Sequence, residues 1–246
     1  MNFGKAYSIT LKFYFAHYKN FLDFIEGYIK SNVESFDTAN PIDESLAKEN
    51  PEYYYSLVDD ISEKWWQHSR DFPSEFRTTF LAQVFSGIDA HLNIICAKFH
   101  SIHLPPKEMR SMKGSEWSQK GKYLKKFASV DFTTIQKEWD LLEQIRQIRN
   151  LVIHHHSSVS ANDKDWSSVK TFIKKNSNYI IFKDDIEELD ETGKLIYEVY
   201  PNHRFDFLIP TSDLNHLLLL TAENFFNKLL PSDIIRKVNL RQCKYI

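Results

Sequence analysis

The sequence predicts a mainly α-helical protein that carries a small antiparallel β-hairpin or sheet near residues 178–210. Breakers are few, with six glycines and eight prolines in 246 residues, which favours long helices over a turn-dense β-sandwich. Apolar residues recur at three- and four-residue spacing over long stretches. A composition of 42% hydrophobic and 15% aromatic residues is that of a globular chain able to bury a sizeable core. Only after Ala161 does the texture change, to short runs rich in β-branched and aromatic residues.

Over residues 7–36, Leu11, Phe15, Tyr18, Phe21, Leu22, Phe24, Ile25 and Ile29 mark a first helix. Asn40-Pro41 and Asn50-Pro51 punctuate, and Pro51 suits the first turn of a helix running towards His68. Phe72-Pro73-Ser74 reads as the next break, with Ser74 as N-cap of the clearest periodic run. That run is Phe76, Phe80, Leu81, Val84, Phe85, Ile88, Leu92, Ile95, Phe99 and Ile102, and Pro105-Pro106 stops it. A basic segment loosened by Gly114 and Gly121 follows, then a strong helix from about Thr133 to the histidines at 154–156. Residues 179–182, 195–200 and 205–209 supply the β segment, separated by the acidic stretch 184–191 and by Pro201-Asn202. Thr211-Ser212-Asp213 is placed to cap a last helix to Leu230, which Pro231 ends.

The net charge of -2 announces no global positive field. Its distribution is uneven: Lys107, Arg110, Lys113, Lys120, Lys122, Lys125 and Lys126 stand against Glu108 and Glu116 in one short segment. Two readings stay open for it, a solvated loop or a docking surface for phosphates. Two cysteines, Cys96 and Cys243, form no disulfide framework and no metal-ligand spacing, and suit a reducing compartment, Cys96 as a core residue. The N-terminus lacks the pattern of a secretory signal, and no stretch approaches the ~20 apolar residues of a membrane span. A soluble, cytoplasmic protein without a membrane partner is expected. No GxSxG, P-loop, GxGxxG or HExxH occurs, which argues against the enzyme classes built on those devices.

The helix from Thr133 carries the chemistry. At ~100° per residue, Ile135, Trp139, Leu142, Ile145, Ile148 and Val152 form one continuous apolar face, and Arg146 and Arg149 fall inside it. Guanidinium groups in an apolar stripe need a partner or water. Three explanations compete: the helix C-terminus attracts the cations, acids such as Glu143 or Asp89 pair with them, or the face meets a partner subunit around an anion site. Asn150 and His154 are four residues apart and share a face, whereas Arg149 lies about 140° from His154. Two chains packed face to face would bring Arg and His together, which favours a symmetric dimer.

The string Gln144-Ile145-Arg146-Gln147-Ile148-Arg149-Asn150-Leu151-Val152-Ile153-His154 resembles the signature of the HEPN superfamily, in the Arg-Asn-x3-His form common in toxins and phage-defence proteins. The resemblance covers roughly residues 74–160. It implies an up-and-down helical bundle that dimerises around a composite cleft. It also implies metal-independent RNA cleavage, in which the 2′-hydroxyl attacks the adjacent phosphate and leaves a 2′,3′-cyclic phosphate. The residue types suit those roles. The resemblance assigns His154 the part of general acid/base, for which imidazole is suited because it moves protons near neutral pH. Arg149 is the phosphate and transition-state stabiliser, because a forked guanidinium matches a phosphorane. Asn150 positions, and Arg146 is a second phosphate contact. His155 is the reserve histidine, since Arg149 to His155 gives the longer spacing some members use. No cofactor is expected. Three adjacent histidines cannot all face one ion from a regular helix, so no metal site is expected either.

On this reading residues 1–72 form an N-terminal helical region packing on the core, residues 74–160 the core with the motif, and residues 161–246 the β segment and last helix that complete one compact domain. The expected partners are an RNA substrate, a second copy of the chain, and an antitoxin or defence-system protein. A non-catalytic domain of the same type, binding RNA or nucleotide or sensing a partner, is the other reading. Asp89 and His91 either face the motif helix or lie on the polar edge of their own. Lys113, Lys120, Lys122, Lys125 and Lys126 are candidate RNA contacts. Trp65-Trp66 and Tyr53-Tyr54-Tyr55 either stack on bases or, as is more usual in a helix, pack between helices.

Overall fold

The computed structural model describes residues 3–128, 130–154, 159–160, 164–176, 178–182, 204–205 and 208–230. The chain is mainly α-helical. Helix α1 spans Phe3–Ala39, α2 Leu46–Glu49, α3 Pro51–Trp66, α4 Phe72–His103, α5 Glu116–Lys126, α6 Phe132–His154, α7 Lys164–Lys175 and α8 Ser212–Leu229. Short helix-starting signals do what they advertise. Asn50 Oδ1 accepts from the Tyr53 N–H at 3.2 Å with Pro51 in the first turn of α3, and Ser115 Oγ accepts from the Ser118 N–H at 3.3 Å at the start of α5. At the entry to α6, Asp131 Oδ1 accepts from the Thr133 N–H at 3.0 Å.

The core forms where α4 and α6 lie against α8, with α1 packed on α8 and α5 on α4. Phe80, Leu81, Val84, Ile88 and Leu92 from α4 meet Ile135, Leu142, Ile145, Ile148 and Val152 from α6, Leu11, Phe15 and Leu22 from α1, and Leu218, Phe225 and Phe226 from α8. All of them are buried. The expected break at Phe72-Pro73-Ser74 is absent. A π-helical segment, Gln67–Asp71, joins α3 to α4, with the Phe72 N–H donating to the Gln67 carbonyl. A wider turn before Pro73 accommodates the N–H it lacks and its ring, so the chain bends its hydrogen-bond register instead of stopping, and Ser74 caps nothing. The run of residues 51–102 is in consequence long and apolar enough, by length and composition alone, to cross a membrane. Within this fold the core cluster claims Phe80, Leu81, Val84, Phe85, Ile88, Leu92, Ile95 and Cys96 of α4, whereas Phe72, Ile94 and Ile102 are exposed.

A second correction concerns the β segment. The expected hairpin or sheet near residues 178–210 is not found as such; two short antiparallel pairings take its place. β1 (Val159–Ser160) pairs with β3 (Arg204–Phe205), and β2 (Ile180–Phe182) with β4 (Leu208–Pro210), in the register Ile181 opposite Ile209. Partners are thus distant in sequence, and no tight turn joins them. The run expected at 195–200 lies outside the described residues. Thr211 occupies the N-cap position of α8, but its hydroxyl donates to the Asn178 and Tyr179 carbonyls at 2.7 and 2.9 Å, tying α8 to the end of β2 instead of capping the helix.

α1 and α8 are also joined by a titratable pair. His216 Nε2 lies 2.8 Å from Asp23 Oδ1, and its Nδ1 lies 2.9 Å from the Ser212 carbonyl oxygen. Ser212 Oγ also lies 3.3 Å from Nδ1, and the Asp23 carboxylate and Ser212 carbonyl, which only accept, favour the protonated ring with both nitrogens donating. Burial alone would lower the pKa of His216, but the Asp23 carboxylate and the Ser212 carbonyl outweigh it and raise it above the ordinary 6.5. A raised folded-state pKa gives a contribution that is complete below the unfolded value and fades as pH rises through the folded one. Urea unfolding of the native chain and of Asp23→Asn is therefore expected to show a larger gap at pH 6 than at pH 9. A gap that ignores pH would rule out the imidazolium.

Candidate functional site

The motif helix places its residues as follows. Arg146 and Arg149 sit in the last two turns of α6, and Asn150 follows. Arg146 is held by Glu143, with Nε and Nη2 donating to the two carboxylate oxygens at 2.7 and 2.9 Å. Of the explanations open to the sequence, acid pairing therefore accounts for Arg146. The apolar face around the arginines is filled from within the same chain, because Leu142, Ile145 and Ile148 are fully buried among α1, α4 and α8 side chains. Those three positions are therefore occupied within the chain, while Arg146 and Arg149 beside them stay partly exposed.

Arg149 differs. It is half-buried, its Nη1 donates to Asn150 Oδ1 at 2.9 Å, and its Nε is buried with no hydrogen-bond partner. No carboxylate among the described residues pairs with it. Asp89, which the sequence offered as a counter-ion, is taken by Lys120 Nζ instead, and Glu116 lies 3.1 Å from the same ammonium. Lys120 is completely enclosed, with a side-chain exposure of 0%. It is therefore corrected from a candidate RNA contact to the structural cation that ties α5 to α4. The Lys120 hydrogen bond in turn holds the Glu116 carboxyl below its usual range.

A cavity of about 320 Å³ opens beside these groups, lined by Phe85, Ser86, Asp89, Ser115, Glu116, Trp117, Arg146 and Arg149. With Lys120 compensating Asp89 and Glu116, and Glu143 compensating Arg146, the Arg149 guanidinium is the charge in this wall without a counter-ion among the described residues. A second cleft, of about 630 Å³, lies further along the α4–α6 seam. Ser74, Thr78 and Ala82 line it one turn apart on α4, facing Val152 and Ile153 near the end of α6. The two helices run antiparallel across the seam, so both cavities share one face of α4. The sequence signal for that face is the four-residue spacing of small and hydroxylated residues, Ser74, Thr78, Ala82 and Ser86, which attention to apolar periodicity passed over.

His154 is the last residue of α6, one turn beyond Asn150, a rise of ~6 Å along the axis. Its side chain, and His155 altogether, lie outside the described residues. His91 is not at this site. Its Nδ1 is 2.7 Å from Tyr7 Oη and its ring stands edge-on to Tyr14, packed under α1, and burial lowers its pKa. Lys113, Lys122, Lys125 and Lys126 are exposed, and Lys122 donates to the Lys113 carbonyl at 2.8 Å. They form a basic rim beside α5. The tyrosines and tryptophans of α3 correct the packing reading, since Tyr53, Tyr55 and Trp66 are 55, 65 and 49% exposed, with Arg70 over the Trp66 ring. Cys96 is buried, and that burial pushes its thiol up to about 12, so it is an inert core residue.

Comparison with family models, with curated proteins and with solved structures finds no match to this chain.

Proposed function

We propose that the chain is a metal-independent endoribonuclease of the HEPN type, acting as a homodimer, and that its role is that of a toxic effector in a toxin–antitoxin or phage-defence system. The observation that carries this reading is Arg149. A half-buried guanidinium without a carboxylate partner among the described residues, with Nε unsatisfied there and Nη1 oriented by Asn150, lines a cavity of about 320 Å³. A buried unsatisfied donor points to a group that completes it, and a phosphate oxygen is the acceptor a fork of N–H donors fits best. Asn150 fixes the guanidinium. His154, from the same chain or from the second copy, moves the proton from the attacking 2′-hydroxyl or to the leaving 5′-oxygen. The exposed lysines beside α5 supply the non-specific attraction of the RNA backbone.

The test is cleavage of a mixed RNA substrate in EDTA, with the new ends analysed for 2′,3′-cyclic phosphate. Arg149→Ala and His154→Ala are each expected to slow cleavage by about 10²–10⁴-fold while the helical circular dichroism is retained. His155→Ala is expected to leave the rate near that of the native chain. A mixture of the two inactive variants regains activity if the site is shared between copies. Intact RNA at high enzyme concentration, or full activity in both variants, overturns the assignment.

A further inference from the structure

The outer face of α1 has an order that the fold does not use. Leu11, Phe15 and Leu22 are buried against α8 and α4, at 3, 2 and 0% exposure. On the opposite side, Ile9, Phe13, Phe24 and Tyr28 fall within about 100° of helix surface. They are 48, 73, 69 and 60% exposed. A soluble helix face of that composition is unusual unless something covers it. Its residues are arranged symmetrically in sequence. Ile9 and Tyr28 lie equally far from the point between Tyr18 and Lys19, and so do Phe13 and Phe24, Ala16 and Phe21, and His17 and Asn20. Thr10 and the open Gly27, which has nothing within 4 Å of its Cβ position, are related by the same centre.

We infer that this face binds a second copy of the chain, α1 against α1 in antiparallel orientation about a twofold axis at that centre. An isologous contact requires each residue to meet its symmetry mate, and this order supplies Ile9 against Tyr28, Phe13 against Phe24, and small Ala16 against large Phe21. Charge is compatible with the same orientation. Residues 3–18 carry Lys5 and Lys12 and no acid, while residues 19–39 carry Asp23, Glu26, Glu34 and Asp37 against Lys19 and Lys30, with Asp23, Glu26 and Glu34 paired in the chain with His216, Arg77 and Lys30. Antiparallel pairing sets the basic half of each helix along the acidic half of the other, whereas parallel pairing sets like beside like. At 37 residues α1 is ~55 Å long, enough for an overlap of standard interface size. The surface is argued from α1 alone, and the second copy is one the proposed function also requires; a dimer that persists in Phe13→Glu/Phe24→Glu fails this inference and leaves that reading standing.

Sedimentation of the full chain at micromolar concentration tests it, and a dimer is expected. Phe13→Glu/Phe24→Glu is expected to sediment as a monomer with the helical circular dichroism and thermal midpoint retained, because both positions are solvent-facing in one chain. Orientation is read by oxidative cross-linking in a Cys243→Ser background. Phe13→Cys mixed with Phe24→Cys gives a covalent dimer, and neither variant alone does. A monomeric native chain, a dimer indifferent to the double glutamate variant, self-cross-linking of either single cysteine variant, or a monomer that instead binds lipid vesicles through this face would each overturn the proposal.

Discussion

Asp89→Asn combined with Glu116→Gln is expected to lower the unfolding free energy by about 3–5 kcal/mol, the cost of stranding a buried charge. The asymmetry of exposure decides the direction. Lys120 is 0% exposed, whereas Asp89 and Glu116 are 36% and 64% exposed. Neutralising both carboxylates leaves an ammonium that cannot reach water without opening the contact of α5 with α4. Removing the cation leaves two carboxylates that water already reaches, so Lys120→Met is expected to cost only about 1 kcal/mol. The triple variant Asp89→Asn/Glu116→Gln/Lys120→Met recovers most of the double variant's loss. Urea unfolding of the three variants provides the ranking. Equal losses in Lys120→Met and the double variant would mean that Lys120 acts by packing alone. The same contact has a pH signature. Because Lys120 depresses the Glu116 pKa, its contribution is present above the ordinary carboxyl range and disappears as pH falls through the folded-state value.

Lys120 also marks where sequence reading stops. The long helices were legible because apolar spacing reports a buried face whatever lies against it, and Leu11, Phe15 and Leu22, the run from Phe80 to Ile95, and Ile135, Leu142, Ile145, Ile148 and Val152 are buried as that spacing requires. Pairing partners are another matter. Arg146 and Glu143 are one turn apart, so their contact could be read from the chain, whereas Lys120 and Asp89 meet through a tertiary contact between α5 and α4. A lysine in a basic run looks solvated until the fold shows which face of its helix is turned inward. The π-helical joint before Pro73 escaped for a related reason, since a proline signals a lost N–H but not whether the preceding turn widens to absorb it. Phe21 and Phe24 of α1 were placed in the apolar run with Leu11 and Phe15 because periodicity does not distinguish an inward face from an outward one on a helix apolar on both sides. At the candidate site, Arg149 and Asn150 were found by type and spacing. The unsatisfied Nε, which gives the arginine its meaning, is a property of the packed structure.

Gly121→Ala is expected to destabilise the chain by about 1–3 kcal/mol, although alanine is the better helix former by about 1 kcal/mol. In the sequence this glycine looks like a loosening element of a basic loop. In the structure it is the point at which α5 closes on α6. A Cβ placed there would lie 2.7 Å from Trp139 Cζ2 and 3.3 Å from two further indole carbons. The indole has little room to yield. It is stacked on Trp117 with centroids 4.5 Å apart, and Phe132 and Phe225 stand at 5.6 and 5.8 Å. The extra methyl therefore has to move α5, and with it Trp117, which walls the Arg149 cavity. The diagnostic outcome is a change of sign. In a Trp139→Ala background, itself expected to cost about 3 kcal/mol, the obstruction is gone and only the helix preference remains, so Gly121→Ala should stabilise by up to about 1 kcal/mol. Chemical unfolding of the four members of this cycle measures the coupling. A Gly121→Ala effect of the same size and sign in both backgrounds would show that the contact with Trp139 is not what requires glycine there. Restored stability without the indole would tie the α5–α6 approach, and the wall of the arginine cavity, to this one close contact.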